Sequence, residues 1–500
     1  MPPESRRPPA PSLLAVTTAV VGLLFALPGA LVIWRAIRLG VGLDDLWAEA
    51  GAPLWRTIQL ATLVSASTAV LGTGLAWLVV RTDLPLRRMW RLVLALPLAV
   101  PSFVGAAAFI AGVAPGGILH SVLDAVGLTP PSRLRGLGVS WLVLTAFTYP
   151  YVMLPVSARL LALRPSLDES ARLLGSTPMA TFVRVTLPQL RSAILGGALL
   201  VYLYSVSEFG AVQLFGYDTL TRVVYASRLV DRATSFGSAA VLLVLAVAVV
   251  ALERWQRGRT LPDPRSGATG ARLVALGRWA VPASLACLAV AGIALVTPIL
   301  SLAVWAQRGL ADGRVDLDLL ASPAWNTATV ALATAAVSVL AVVPVAISTT
   351  RHRWRLGDVS AGAVTAGFAL PGLVIALALA IVTLNTPGVD RLYQTAPLLI
   401  FAYVVHFGSQ ALASVEQALR AVPDRLREAS RLLDDAPLRR FRAVDLPLMR
   451  PGLAAGAGLV LLATVKELPA TLLLAPIGFD TLATQIWASY EEGFYAETGV

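Results

Sequence analysis

Apolar residues in this chain do not alternate with polar ones; they run on for 20 residues and more, and short stretches rich in arginine or acid separate the runs. A helix that crosses the hydrocarbon core of a bilayer needs about 20 such residues. Eleven stretches qualify: 13–34, 57–80, 91–114, 139–163, 192–216, 236–255, 279–305, 326–349, 359–384, 397–420 and 452–476. The pattern predicts an all-α, polytopic transmembrane helical bundle. The first run follows Arg6 and Arg7 in the manner of a secretory signal. It is longer than the roughly 7–15 apolar residues such a signal carries, so it reads as a retained helix.

Composition agrees: 57% of the 500 residues are hydrophobic and 14% charged, with a mean hydropathy of +0.74. A soluble globular chain is excluded on those figures. The net charge of +11 does not point to nucleic acid, because the basic residues stand at the ends of apolar runs. Arg81, Arg87, Arg88 and Arg91 share one loop, Arg254, Arg257, Arg259, Arg265, Arg272 and Arg278 another, and Arg351, Arg353 and Arg355 a third. Between them lie loops such as 306–325, with Asp312, Asp316 and Asp318. Arginine-rich loops stay on the cytoplasmic side, which puts the N-terminus inside. Cys287 stands alone, and His120, His352 and His406 are scattered without metal-ligand spacing, so no metal site is expected.

The chain repeats itself. Trp55-Arg56-Thr57 returns as Trp325-Asn326-Thr327, Arg81 as Arg351, and Val100-Pro101 as Leu370-Pro371, each displaced by 270 residues. Glu169 returns as Glu428, Leu187-Pro188 as Leu446-Pro447, and Glu208 as Glu467, each displaced by 259. Asp218-Thr219-Leu220 recurs as Asp480-Thr481-Leu482. The copies run the same way through the membrane, a parallel repeat that places a pathway at its pseudo-twofold interface. The expected organisation is a first transmembrane domain at 1–255, a cytoplasmic linker at 256–278 with Pro262, Pro264, Gly267 and Gly270, and a second transmembrane domain at 279–500.

Between the fourth and fifth spans the chain reads as helix, turn, helix. Ser166 with Glu169 makes a capping box, Gly175 suits a helix-ending left-handed residue, and Thr177-Pro178 offers an N-cap with proline behind it. Leu173, Leu174, Met179, Phe182 and Val183 are too apolar for a solvated connector and need a partner. Leu187-Pro188 closes the stretch at the next span. The second copy has Glu428, Ala429, Ser430, Asp434, Pro437, Phe441 and Leu446-Pro447 at the same internal spacings.

At these residues the chain resembles the coupling loop of binding-protein-dependent ABC importer permeases: Glu-Ala-Ala, a glycine four residues after the second alanine, and a closing Leu-Pro. The first copy, Glu169-Ser170-Ala171 with Gly175, departs from this only at Ser170; the second has Ser430 for alanine and Asp434 for glycine. Aspartate visits the left-handed region less readily than glycine, so a different turn is expected there. The resemblance implies two ATPase subunits on the cytoplasmic face, an extracytoplasmic substrate-binding protein, and a bacterial inner-membrane location. The one lysine, Lys466, follows Val465, so no phosphate-binding loop of the G-x-x-x-x-G-K-[ST] kind exists. ATP and magnesium belong on the partner ATPase, and this chain binds no cofactor of its own.

Glu208 and Glu467, at matched depth near the outer ends of the fifth and eleventh spans, are pathway candidates, since an intramembrane carboxylate must face protein or water. Solvation or pairing, with Lys466 beside Glu467, is the competing reading. Pro97, Pro101 and Pro371 interrupt the third and ninth spans, read as kinks for packing with carbonyls freed near the pathway as the alternative; His406 reads as a satisfied polar contact ahead of a proton relay, and Tyr149-Pro150-Tyr151 as a kink with aromatic packing. A secondary transporter would also show a repeat and buried carboxylates, but it leaves two capped apolar loops unexplained. The run Leu96-Pro97-Leu98-Ala99-Val100-Pro101-Ser102-Phe103-Val104-Gly105 and the fused layout look like ferric-iron permeases, with thiamine permeases second. The counterpart of Phe236, where a sixth span begins, is Thr498, and the chain stops at Val500. A twelfth span beyond this sequence is expected; the alternative is an eleven-span protein with Glu491, Glu492 and Glu497 on the outer face.

Overall fold

The computed structural model describes residues 12–115, 117–127, 134–163, 170–257, 273–311, 318–352, 354–433 and 436–499. The first half contributes α1 (Ser12–Arg38), α2 (Leu43–Arg81), α3 (Arg87–Val93), α4 (Ser102–Val113), α5 (Ile118–Ala125), α6 (Leu137–Thr148), α7 (Pro150–Ala162), α8 (Pro178–Ser207), α9 (Gly210–Leu214), α10 (Leu220–Ser227) and α11 (Arg232–Arg257). The second contributes α12 (Gly277–Ala311), α13 (Asp318–Ile347), α14 (Arg355–Ala369), α15 (Gly372–Asn385), α16 (Ala396–Ala421), α17 (Asp424–Leu433), α18 (Phe441–Val465), α19 (Pro469–Leu474), α20 (Leu482–Glu491) and α21 (Tyr495–Gly499). Among the described residues nine helices are long and apolar enough to cross a membrane, and two bent pairs bring the number to eleven. An all-α polytopic bundle is therefore what forms.

Backbone polar groups inside a bilayer must be satisfied within the helix, and side-chain hydroxyls follow the same rule. Thr148 donates to the Leu144 carbonyl at 2.6 Å, Thr383 to Leu379 at 2.8 Å and Thr464 to Val460 at 2.9 Å. Helix α2 has 39 residues. At ~1.5 Å per residue it is about 58 Å long, nearly twice the hydrocarbon thickness. Its first turn, with Asp44 and Asp45, thus projects beyond the apolar layer.

The prolines do more than kink. The helical segment Arg87–Ala99 turns by 101° into α4, and α14 turns by 105° into α15. Pro101 and Pro371 are the N-cap residues of α4 and α15, in extended conformation. A proline there loses nothing, because first-turn amides have no intrahelical acceptor, while its ring prevents the preceding helix from continuing. Expected kinks are therefore full breaks. The fifth and eleventh runs also stop early: α8 ends at Ser207 and α18 at Val465, each followed by a short helix, α9 or α19.

Two compact units form, and each mixes the sequence halves. One comprises 1–46, 224–247 and 316–485; the other comprises 47–223, 248–315 and 486–500. In the first unit α1 lies along α14, close enough that a Cβ on Gly22 would stand 2.5 Å from the Ser360 hydroxyl. Thr18 and Ser348 share a 2.8 Å hydrogen bond across the same contact. In the second unit α12 lies on α4, where a Cβ on Gly112 would meet the Ser301 hydroxyl at 3.0 Å. Small residues with a hydroxyl opposite are how helices approach closely where no hydrophobic drive separates protein from lipid. The first span of each half is thus built into a unit whose core comes from the other half.

Candidate functional site

The loop between the fourth and fifth spans is described from Ser170 onward; Glu169 lies outside the described residues. Gly175 takes φ +88°, and the amide of Ser176 donates to the Ala171 carbonyl at 3.1 Å, the six-to-one bond of a Schellman ending. Thr177 then caps the next helix, its hydroxyl accepting from the Ala180 amide at 3.3 Å, with Pro178 in the first position. Leu173 is 89% exposed, Leu174 87% and Met179 66%. Covering three such side chains is worth roughly 4–6 kcal/mol, a strong drive to dock.

Phe182 behaves differently from its neighbours. Its ring turns inward onto Trp77 of α2, with centroids 5.4 Å apart. Residues Phe182–Thr186 form a π turn, and Leu187-Pro188 follows inside one continuous helix, Pro178–Ser207. Pro188 cannot supply its amide, and a wide turn just ahead of it lets the carbonyls shift partners without breaking the helix. Leu187-Pro188 therefore does not close the loop; the loop and the fifth span are one rod.

The second copy repeats the rod. Phe441–Asp445 is a π turn and Leu446-Pro447 continues into α18. Ahead of it α17 carries Glu428 and Ala429 exposed and Ser430 half-buried, with Leu432 89% exposed; Asp434 lies outside the described residues, and Pro437 opens the next turn. The anchor differs. Asp445 is buried and pairs with Arg351 at 2.6 Å, tying the π turn to the end of the second span of that half, Leu320–His352. In the first copy Thr186 stands in place of Asp445 and Arg81 in place of Arg351, both buried.

Both pathway candidates are buried at helix breaks. Glu208 ends α8; one carboxylate oxygen accepts from the Ala211 amide at 2.9 Å and the other from the Ser102 hydroxyl at 2.8 Å. Thr221 donates to the Glu208 carbonyl at 2.6 Å. Glu467 does the same work after α18: its carboxylate accepts from the Ala470 amide at 2.9 Å, and Thr471 donates to its carbonyl at 2.8 Å. Tyr403 and Thr471 share a further hydrogen bond. Where the first copy has Ser102, the second has Gly372, and a Cβ there would stand 2.5 Å from the Glu467 carboxylate.

Other readings settle into place. His406 is half-buried, its ring 4.5 Å from that of Phe407 and 6.4 Å from that of Phe368, and its Nδ1 makes no hydrogen bond, so the packing is aromatic rather than polar. Tyr149 donates to the Leu94 carbonyl at 2.8 Å beside the first-half break, and the Tyr151 ring lies 5.9 Å from that of Tyr204. Three hydrogen-bonding positions escaped sequence reasoning: Ser102, Thr57 and Thr327. Thr57 donates to the Pro53 carbonyl at 2.8 Å and accepts from the Leu220 amide at 2.9 Å; Thr327 donates to Pro323 at 2.7 Å and accepts from Leu482 at 2.9 Å. The recurring Trp-x-Thr and Asp-Thr-Leu were the visible signal of this pin, each unremarked as the other's partner.

Known proteins resemble this chain in sequence. Residues 69–258 and 338–498 match the family described as binding-protein-dependent transport system inner membrane component. The chain is 28% identical to the Fe(3+)-transport system permease protein FbpB 2 of Haemophilus influenzae, over 98% of this chain and 94% of that one. It is 26% identical to a sulfate transport system permease protein of Synechocystis over 50% of this chain and 92% of the relative. With the molybdenum transport system permease protein of Mycobacterium bovis it shares 28% identity over 46% of this chain and 89% of the relative. Two matched segments, one per repeat, each carrying the rod and the broken spans, place the chain in one family: it belongs to the inner-membrane permease components of binding-protein-dependent ABC importers.

Proposed function

We propose that this permease passes ferric iron, delivered on the outer face by a substrate-binding protein and driven by two ATPase subunits docked on the cytoplasmic loops. The observation that carries the docking is the capped turn at Gly175 with Leu173 and Leu174 left almost fully exposed beside it. The cargo rests on the match to a ferric-iron permease along nearly the whole of both chains, whereas the sulfate and molybdenum relatives match about half of this one. The N-terminus is cytoplasmic in this reading, and the chain sits in a bacterial inner membrane with ATP and magnesium on the partner subunits. The test is ATPase activity of the reconstituted complex. Ferric-loaded binding protein stimulates it; stimulation by thiamine, sulfate or molybdate instead would reassign the cargo and leave the importer reading standing.

A further inference from the structure

Each half contains two broken spans, the third and the fifth, and one buried carboxylate lies at each junction. In the first half the α4 segment begins at Ser102 and lies against α9. The Glu208 carboxylate stands between their N-terminal ends, holding the Ala211 amide with one oxygen and the Ser102 hydroxyl with the other. Its carbonyl takes the Thr221 hydroxyl, so α10 is gathered in as well. In the second half α15 lies against α19, and the Glu467 carboxylate holds the Ala470 amide while touching Gly372, the first residue of α15. A negative group facing helix N-termini is held by their unsatisfied amides and their dipoles, most firmly where water is excluded.

We propose that Glu208 and Glu467 are positioning residues which fasten the break of the third span to the break of the fifth within each half, so that the two breaks travel as one body when the pathway opens. The fastening differs in kind between the halves. At 102 a serine hydroxyl bonds the carboxylate, and at 372 a glycine admits the carboxylate directly against the helix start. Both sites therefore tolerate their own residue and not the other's small change: alanine at 102 removes a bond, and alanine at 372 displaces the acid. Such a joint carries motion of the coupling rod, which runs from the cytoplasmic loop through α8 to Glu208, into the outer part of the third span.

The proposal rests on the importer reading above, and the test separates the two. Transported cargo per ATP hydrolysed is measured for the reconstituted complex with Ser102→Ala, Ser102→Thr and Gly372→Ala. Loss of a hydrogen bond to a charged group lowers the ratio roughly tenfold in Ser102→Ala, while Ser102→Thr, which keeps the hydroxyl, restores it. Gly372→Ala lowers the ratio in the same direction from the other half, and it decides the matter should Ser102→Ala fail to reach the membrane. A normal ratio in Ser102→Ala or in Gly372→Ala would overturn the joint. So would a Glu208→Gln variant that loses uptake while Ser102→Ala keeps it, since the carboxylate would then act on cargo. Absence of any ATP-driven uptake by the unaltered complex would instead refute the importer reading.

Discussion

The two loops that precede the fifth span of each half occupy equivalent places in the repeat, yet they are attached to their spans by different forces. The first turns on Gly175 at φ +88° and seats Phe182 against Trp77, an apolar anchor. The second has Asp434 at the glycine position and anchors its π turn through the pair that half-buried Arg351 makes with buried Asp445. What repeats is the rod: a π turn ahead of Leu-Pro, continuous with the fifth span of each half. Duplicated sequence therefore preserved the lever and let its bearings diverge.

The largest expected effect lies in the second copy. Arg351→Ala removes a charged hydrogen-bond donor from the buried Asp445 carboxylate, a loss of roughly 1.5–3 kcal/mol, and thermal unfolding of the purified complex should register it. Arg81→Ala is the matching change in the first copy, where Thr186 stands at the position of Asp445; equal losses in the two variants would erase the distinction between the anchors. Next comes Gly175→Val, which forces a β-branched residue to positive φ at a cost of roughly 1–3 kcal/mol. Substrate-stimulated ATPase and uptake should fall while the protein still reaches the membrane. Unchanged activity would remove the first loop from the coupling path.

Where the copies agree, substitutions should agree. Thr57→Val and Thr327→Val each remove one hydroxyl that bridges a proline carbonyl to the Asp-Thr-Leu segment, a loss of roughly 1–2 kcal/mol apiece. Melting temperatures of the two variants should drop alike. The smallest effect belongs to Phe182→Leu, which keeps most of the apolar volume and loses about 0.5–1.5 kcal/mol of ring contact. High salt should leave that loss unaltered.

The spans were legible because crossing a bilayer is a demand on composition and length alone, and all eleven expected runs correspond to helices or bent pairs. Proline announced a break near 101 and 371 but not a turn of 101° or 105°, because the angle is set by what α4 and α15 pack against. Nothing in residues 12–38 marks them as partners of α14, since lipid-facing and helix-facing positions look alike when both neighbours are apolar. Glu208 and Glu467 stood out by their matched depth. Their bonds did not, because Ser102 lies 106 residues from Glu208 and short polar residues are common throughout the spans. At Phe182 the apolar pattern suggested a docking face, and the ring instead turned inward to Trp77.

The central claim is that the exposed apolar turn beside Gly175 is a docking face for an ATPase subunit, and co-purification of that subunit with the membrane chain measures it directly. Leu173→Glu with Leu174→Glu places two charges on a surface that must be desolvated, so recovery of the ATPase should fall at least roughly tenfold while the chain stays folded in the membrane. Full recovery of the ATPase on the doubly substituted chain would contradict the claim.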